Sequence, residues 1–565
     1  VTAIDLSPED PPADGTDLIE GHGGDLAVAA ARAHGVEVMF TLSGAHVFPL
    51  YDGAVKADPP MPLVDVRHEQ TAVFAAEGTA KLTRRPGLAV LTAGPGVTNG
   101  VSAVTSAHFN GAPVVVLGGR APGFRWGSGA LQELDHPPLL VPVTKAAGTI
   151  ATVDETVARV DEAFALATAP HRGPVFLDMG MDQLFSRTES APPRGPRRVP
   201  VAPDPDDLAE IAALLEGAQH PVLVLGSDVW ADGAEDAALR LAETLCVPVI
   251  TNGMGRGVLP AGHRLLVTRA RSRAFAAADL VVVVGTPLDF RLGYGTFGGK
   301  DGAAPARVVH VQDSPGGIAG HASLAASAAG DLTLVLDGVR DAWELLLRRP
   351  DYSSWTTELR EVADRATAGD LDLLRSTQDP IHPARIYGDL LPRLAQDAVV
   401  IGDGGDFVSF AGRFVEPRQP GGWLDPGPYG CLGTGLGYAI AARLARPSAQ
   451  VVLLLGDGAA GFSLMDVDTL VRHRLPVVMV VGNNGVWGLE KHPMQFLYGY
   501  DVAAELRQET RYDQVVQALG GGGETVRRPD ELGPALDRAF ASGVPYLVNV
   551  LTDPSIPYPR TTTGV

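Results

Sequence analysis

Hydrophobic positions along this chain follow two spacings in turn. Short continuous apolar runs recur: GLAVL at 87–91, APVVVLGG at 112–119, GPVFLDMG at 173–180, PVLVLG at 221–226, ADLVVVVG at 278–285, VVLLLG at 451–456 and PVVMVVG at 476–482. Their length and β-branched content fit strands buried on both faces of a parallel sheet. Between them lie longer stretches with apolar residues at helical spacing, such as HEQTAVFAAEGTAKLTRR at 68–85 and LTLVLDGVRDAWELLLRR at 332–349. This alternation predicts an α/β protein of three doubly wound parallel-sheet domains.

The breaks in the pattern set the boundaries. The first domain is expected over 19–185, the second over 206–349 and the third over 382–552. A proline- and arginine-rich linker separates the first two, and a mainly helical connector over 350–381 separates the others. Residues up to Leu18 read as a leader, and 553–565, DPSIPYPRTTTGV, as a proline-broken tail or lid. A chain of 565 residues is too long for one core, in keeping with this division.

Composition narrows the partners. With 45% hydrophobic and 20% charged residues this is an ordinary globular chain. A formal net charge of -21 argues against nucleic acid and anionic membrane, so a polyanionic substrate would need a local basic pocket. The two cysteines, Cys246 and Cys431, make no disulfide framework, and the acidic, proline-rich start does not read as a secretory signal. A cytoplasmic protein is expected.

Candidate chemistry is densest from Val451 to Lys491. Two parallel strands place their carboxyl ends side by side, where open α/β sheets bind ligands. Asp457 supplies an anionic oxygen at one strand end and Asn484 an amide oxygen at the next, a set suited to magnesium. Gly456, Gly458, Ala459 and Ala460 let backbone N–H groups approach a phosphate at a helix start. GDG, then 24 residues, then NN resembles the binding motif of the thiamine diphosphate enzyme superfamily, which includes acetolactate synthase, pyruvate decarboxylase, and the 2-hydroxyacyl-CoA and oxalyl-CoA enzymes. The resemblance implies metal ligation by Asp457, Asn484 and the Val486 carbonyl, and a pyrimidine-binding, a middle and a diphosphate-binding domain. It also implies a homodimer or homotetramer with active sites between subunits.

In the first domain, Glu69 in VDVRHEQTAV matches the glutamate that hydrogen-bonds the aminopyrimidine ring in this superfamily and so helps remove the thiazolium proton; on its own it reads as a helix-start glutamate. Gly94 and Asn99 in LTAGPGVTNG give a tight helix entry and, by resemblance, contact the cofactor. GSGALQELDH resembles the GAFQE segment of acetolactate synthases and acyl-CoA lyases, placing Gln132 at the reacting centre; Glu133 and Asp135 read as surface charges. His46 in TLSGAHVFPLYD departs from the glycine-proline-glycine pattern of many relatives, leaving two readings open, a proton carrier or a hydrogen-bonded loop residue.

The middle domain lacks the GMLGMHG-like segment that marks flavin binding, so FAD is not expected. MGRG at 254–257 and ARSRAFAAADLVVVVGTPLDFRLGYG at 270–295 resemble the 2-hydroxyacyl-CoA lyase and oxalyl-CoA decarboxylase branch. Arg256, Arg269, Arg271 and Arg273 are expected to meet the phosphates of a CoA ester, of a regulatory ADP, or simply solvent, and Asp313 to hold an adenosine ribose.

In the last domain the resemblance assigns diphosphate contacts to Gly405, Asp406 and Phe407, and puts Leu432 under the cofactor. Trp487 stands where oxalyl-CoA enzymes keep a tyrosine, which leaves Glu490 as the expected base or, alternatively, a partner of Lys491 or His492. Tyr558 and Arg560 are expected CoA contacts of the tail. The first reading is therefore a lyase cleaving a short 2-hydroxyacyl-CoA to formyl-CoA and an aldehyde or ketone, resembling actinobacterial lyases of 2-hydroxyisobutyryl-CoA. The alternative is an acetolactate synthase-like 2-oxoacid decarboxylase and carboligase, to which Gln132 and Lys145 also point. A homologue without catalytic activity is disfavoured by the presence of Glu69, Asp457 and Asn484.

Overall fold

The structure is a computed structural model that describes residues 18–196, 200–299 and 304–559. The apolar runs form three parallel sheets. The first holds β2 (Met39–Thr41), β3 (Leu63–Asp65), β4 (Gly87–Leu91), β5 (Val114–Arg120), β6 (Ala146–Ile150) and β7 (Val175–Gly180), in the spatial order β3-β2-β4-β5-β7-β6. The second orders β9 (Pro221–Leu225), β10 (Val249–Thr251), β11 (Leu280–Val284), β12 (Arg307–Gln312) and β13 (Ala326–Ala329) as β10-β9-β11-β12-β13. The third orders β14 (Val399–Asp403), β15 (Trp423–Leu424), β16 (Val451–Gly456), β17 (Val478–Asn483), β18 (Gly522–Val526) and β19 (Tyr546–Leu551) as β15-β14-β16-β17-β19-β18.

The first and third sheets share one topology, and the second follows it for its first four strands. In each, the chain starts in the interior, steps outward once, then returns to the other side of the first strand. That reversal opens a crevice at the carboxyl ends of β2 and β4, of β9 and β11, and of β14 and β16, the places where such sheets hold ligands.

Two boundaries differ from expectation. The first unit runs past Phe185, because β8 (Arg187–Ser190) turns back to pair antiparallel with β1 (Ile19–His22). The connector belongs to the middle unit: helix Ser353–Gly369 buries Trp355, Leu359 and Ala363 against its sheet, with Trp355 Nε1 donating to the Pro221 carbonyl at 3.1 Å. A bridge between Ile381 and Thr552 closes the third unit. No helix among the described residues is long and apolar enough to cross a membrane.

The units are packed firmly together. Helix Glu69–Thr83 crosses helix Thr434–Ala445 at Gly78 and Gly437, and a Cβ on Gly437 would lie 2.5 Å from Phe74 Cβ. Only glycine admits that approach. A buried ionic knot joins the first and middle domains: Arg172 pairs with Asp232 and, at 3.4 Å, with Asp313, which also lies 3.1 Å from His171 Nδ1. Burial depresses the nearby Lys145 amine to about 8. Asp313 is thus engaged across a domain boundary, so the ribose role expected for it is not borne out by its contacts.

Candidate active site

The crevice of the first sheet gathers the expected polar groups. Glu69 opens its helix, with the His68 ring capping the first turn by accepting from Gln70 N at 3.2 Å. Its carboxylate is buried, and Asn99 Nδ2 donates to Oε2 at 2.9 Å. Asn99 rides on helix Pro95–Phe109, entered through Gly94 at φ +60°. A Cβ there would lie 2.9 Å from Gln132 Cβ, and Gln132 itself takes a left-handed φ of +60°. A strained non-glycine residue pressed on a turn is a common mark of a functional site. His46 is buried beside them, 3.4 Å from Thr92 Oγ1 and tied to the Leu131 backbone, and burial lowers its pKa so that the neutral ring prevails near pH 7.

Glu133, expected on the surface, instead caps the loop carrying Gln132, accepting from Gly127 N at 3.0 Å and Ala130 N at 3.2 Å. Asp135 is exposed and paired with Arg120 at 3.0 Å. Sequence reasoning missed His136, whose fully buried ring sits between Gly94 and Asp178. A histidine following QELD had no periodicity to mark it.

The crevice of the third sheet opens into a cleft of about 500 Å³. Gly405, Asp406, Phe407, Leu432, Asp457, Gly458, Ala459, Asn484, Val486, Trp487 and Glu490 line it, all as expected. Ala460 does not; it is buried in the apolar core behind the helix start. Asp457 accepts from Gly458 N at 3.0 Å and from Gly485 N at 2.7 Å, and burial raises its carboxyl to about 6. Asn484 Oδ1 accepts from Val486 N at 3.1 Å, whereas Asn483 faces the fold, donating to Thr510 O and Asn549 Oδ1. Trp487 covers Gly458, where a Cβ would fall 2.5 Å from the indole. Lys491 pairs with Glu505, leaving Glu490 on the cleft wall.

Three cleft residues come from the middle domain: Asn252, Phe290 and Arg291. None was foreseen, because one arginine after a strand carries no local signal. No first-domain residue appears in the lining among the described residues. Glu69, after the edge strand β3, and Asp457, after the inner strand β16, therefore belong to two separate half-sites in two sheets.

Models of the N-terminal, central and C-terminal domains of thiamine pyrophosphate enzymes match residues 21–139, 208–339 and 403–550. The chain belongs to the thiamine pyrophosphate enzyme family. Among similar proteins are a probable acetolactate synthase of Mycobacterium bovis and the acetolactate synthase large subunit IlvG of Mycobacterium tuberculosis, each 50% identical over 95% of this chain and 97% of their own. The 2-hydroxyacyl-CoA lyase 2 of Caenorhabditis elegans is 33% identical over 94% of this chain and 89% of its own.

The residues present fit the cofactor of a thiamine pyrophosphate enzyme, thiamine diphosphate. Among the described residues, Asp457 is a buried carboxylate answered only by backbone N–H groups, an arrangement that a divalent cation would complete, and its neighbours offer hard oxygen donors. Helix Asp406–Phe414 points its amino end at the same cleft through Gly405, favouring diphosphate oxygens.

The arginines expected to hold CoA do not converge. Buried Arg256 donates to Gly412 O and lies over the Trp423 ring. Arg269 pairs with Asp370, Arg271 donates to Arg291 O, and Arg273 pairs with Glu358 on the surface. Their spacing served separate partners, because a guanidinium fork suits a carboxylate or carbonyl as well as a phosphate. A different cavity of about 240 Å³ lies at the middle-sheet crevice, where Lys81, Arg84, Arg172 and Arg291 are the cations beside Ser227, Gly253 and Gly285, so that Arg291 borders both this cavity and the cleft. In the tail, Tyr558 N donates to Asp406 Oδ1 at 3.1 Å and its ring packs edge-on to Phe410; Arg560 lies outside the described residues.

Proposed function

We propose that this thiamine diphosphate-dependent enzyme is a 2-oxoacid decarboxylase and carboligase of the acetolactate synthase type. Arg291 carries the reading. It is the cation in the cleft lining among the described residues, facing a wall that holds Asp406, Asp425, Asp457 and Glu490. Asp289 binds its Nε and Nη2, which leaves Nη1 without a protein hydrogen bond among the described residues. One guanidinium edge suits a small carboxylate, whereas a CoA ester calls for several phosphate-binding cations. The 50% identical relatives named as acetolactate synthases support the same choice and reverse the order of the two readings drawn from sequence.

Thiamine diphosphate supplies a carbon nucleophile and an electron sink for cleavage beside a carbonyl. The chain's own residues do the rest. Glu69, oriented by Asn99, holds and passes a proton; Gln132 offers an amide to the reacting carbonyl; Glu490 serves as a base on the cleft wall; Trp487 keeps water from Gly458. Asp457, Asn484 and the Val486 carbonyl would hold magnesium. The two half-sites join between two copies of the chain, at minimum a homodimer. Exposed apolar side chains beside each support this: Phe124, Trp126 and Leu131 near Gln132, and Phe496, Leu497 and Tyr498 beyond Glu490. The acidic charge and two free cysteines support a cytoplasmic setting.

A 2-hydroxyacyl-CoA lyase is the second reading, favoured by the relatives bearing that name and by the several cations lining the middle-domain cavity. In it, the middle-domain cavity, rather than Arg256, Arg271 and Arg273, takes the nucleotide part of CoA; a bound ADP there is the corresponding reading under the first. Product analysis with thiamine diphosphate and magnesium separates the two: acetolactate from pyruvate supports the first, and formyl-CoA from 2-hydroxyisobutyryl-CoA without acetolactate overturns it.

A further inference from the structure

His136 is fully buried and uses both ring nitrogens. Its Nδ1 lies 2.7 Å from Asp178 Oδ2, and Gly94 N donates to its Nε2 at 2.9 Å. A backbone N–H cannot accept, so Nε2 is bare and the hydrogen sits on Nδ1, donated to Asp178. Asp178, on β7 and equally buried, also accepts from Thr149 Oγ1 at 2.6 Å and Arg120 Nη1 at 3.0 Å, so its position is set from three sides. Gly94 is the left-handed entry to the helix bearing Asn99, and it lies against Gln132, four residues before His136.

We propose that His136 and Asp178 are a positioning pair for the first half-site: together they hold the Gly94 turn under Gln132 and thereby present Gln132 and Asn99 alongside Glu69. The inference rests on the reading that places these groups at the reacting centre. A fold requirement alone explains the pair poorly. Phe176 already packs edge-on to the imidazole at 6.2 Å, and well-packed apolar residues in place of a buried polar pair are often neutral or stabilising. What an apolar residue could not provide is an acceptor for Gly94 N inside a turn that Gln132 strains against.

The test compares His136→Phe, Asp178→Asn and Gln132→Ala, each loaded with thiamine diphosphate and magnesium. It uses hydrogen exchange of segments 92–99 and 127–136, melting temperature, and kcat and KM for pyruvate. In His136→Phe both segments should exchange faster than the rest of the chain, with a lowered melting temperature from the unpaired Gly94 N–H and Asp178, kcat down about tenfold or more and KM within about twofold, as for a misplaced catalytic group. Asp178→Asn should act alike, because its amide can donate to Nδ1 and move the ring hydrogen to Nε2, against Gly94 N–H. His136→Gln, which restores an acceptor, should recover part of kcat. Unchanged exchange in both segments, or kcat within about twofold of wild type in both His136→Phe and Asp178→Asn, overturns the proposal. Full activity in Gln132→Ala would instead remove the reading of the site, while exchange still decides the pair. If His136→Phe fails to fold, Asp178→Asn carries the same comparison.

Discussion

Asn99 Nδ2 donates to Glu69 Oε2 across 2.9 Å, joining the second turn of one helix to the first residue of another, the two following strands on either side of β2. The carboxylate is thereby aimed from a buried position without a cation beside it among its hydrogen-bond partners. Hydrogen bonds to a charged group contribute about 1.5–3 kcal/mol, so Asn99→Ala should lower kcat by roughly one to two orders of magnitude. Glu69→Gln should lower it about 100-fold or more, as expected for loss of a proton carrier, with cofactor binding largely retained. Steady-state kinetics and cofactor titration check both.

Gly458 and Trp487 are a packed pair in the cleft. Alanine at 458 would place a Cβ 2.5 Å from the indole, forcing the ring or the helix start to move. Overpacking of this kind destabilises by about 1–3 kcal/mol. Gly458→Ala should therefore lower the melting temperature and weaken cofactor binding, and adding Trp487→Phe should recover part of the loss. Calorimetry on the two variants measures both effects.

The Asp457 carboxyl is pushed up to about 6 by burial, above its unfolded value. A raised acid pKa means that the folded chain holds a proton the unfolded chain gives up, so stability of the cofactor-free protein falls as pH rises from about 4 to about 6. The full effect is on the order of 3 kcal/mol. Asp457→Asn should thus melt higher than wild type at pH 7.5 without cofactor, yet lose the stabilisation that magnesium and thiamine diphosphate give wild type. Thermal melts with and without these two at pH 5 and 7.5 test the prediction.

His171 faces Asp313, Asp228 and Arg172 at the junction of the first and middle domains, and the two carboxylates raise its pKa to about 9 against the opposing pull of burial and the guanidinium. For a raised histidine the stabilisation is fully present below the unfolded value and fades as pH rises through about 9. Asp313→Asn removes one of its acids. The difference in denaturant midpoint between wild type and this variant should be largest near pH 6 and shrink above pH 9.

Much of the fold was legible because buried parallel strands are continuous and apolar: VVLLL and PVVMVV announced β16 and β17, and with them the places of Asp457 and Asn484. The return strand RTES was not, since a short polar edge pair has no apolar signature. Individual site residues were found where a motif spanned a strand end. Arg291 and His136 escaped because their meaning lies in partners distant along the chain, and the readings left open for Arg273 could not be narrowed for the same reason, its mate Glu358 lying on the connector helix. Ala460 shows the limit of motif reasoning within a helix: one residue past the cleft-lining Ala459, the helical turn carries the side chain into the core.

The proposed function requires Glu69 and Asp457 to meet in one thiamine diphosphate site built from two copies of the chain. The most direct measurement mixes inactive Glu69→Gln protein with inactive Asp457→Asn protein, allows subunits to exchange, and follows acetolactate formation from pyruvate. A mixed dimer then carries one intact site, so turnover should return to about a quarter of wild type at equal mixing. No recovery despite demonstrated exchange of subunits would contradict the claim.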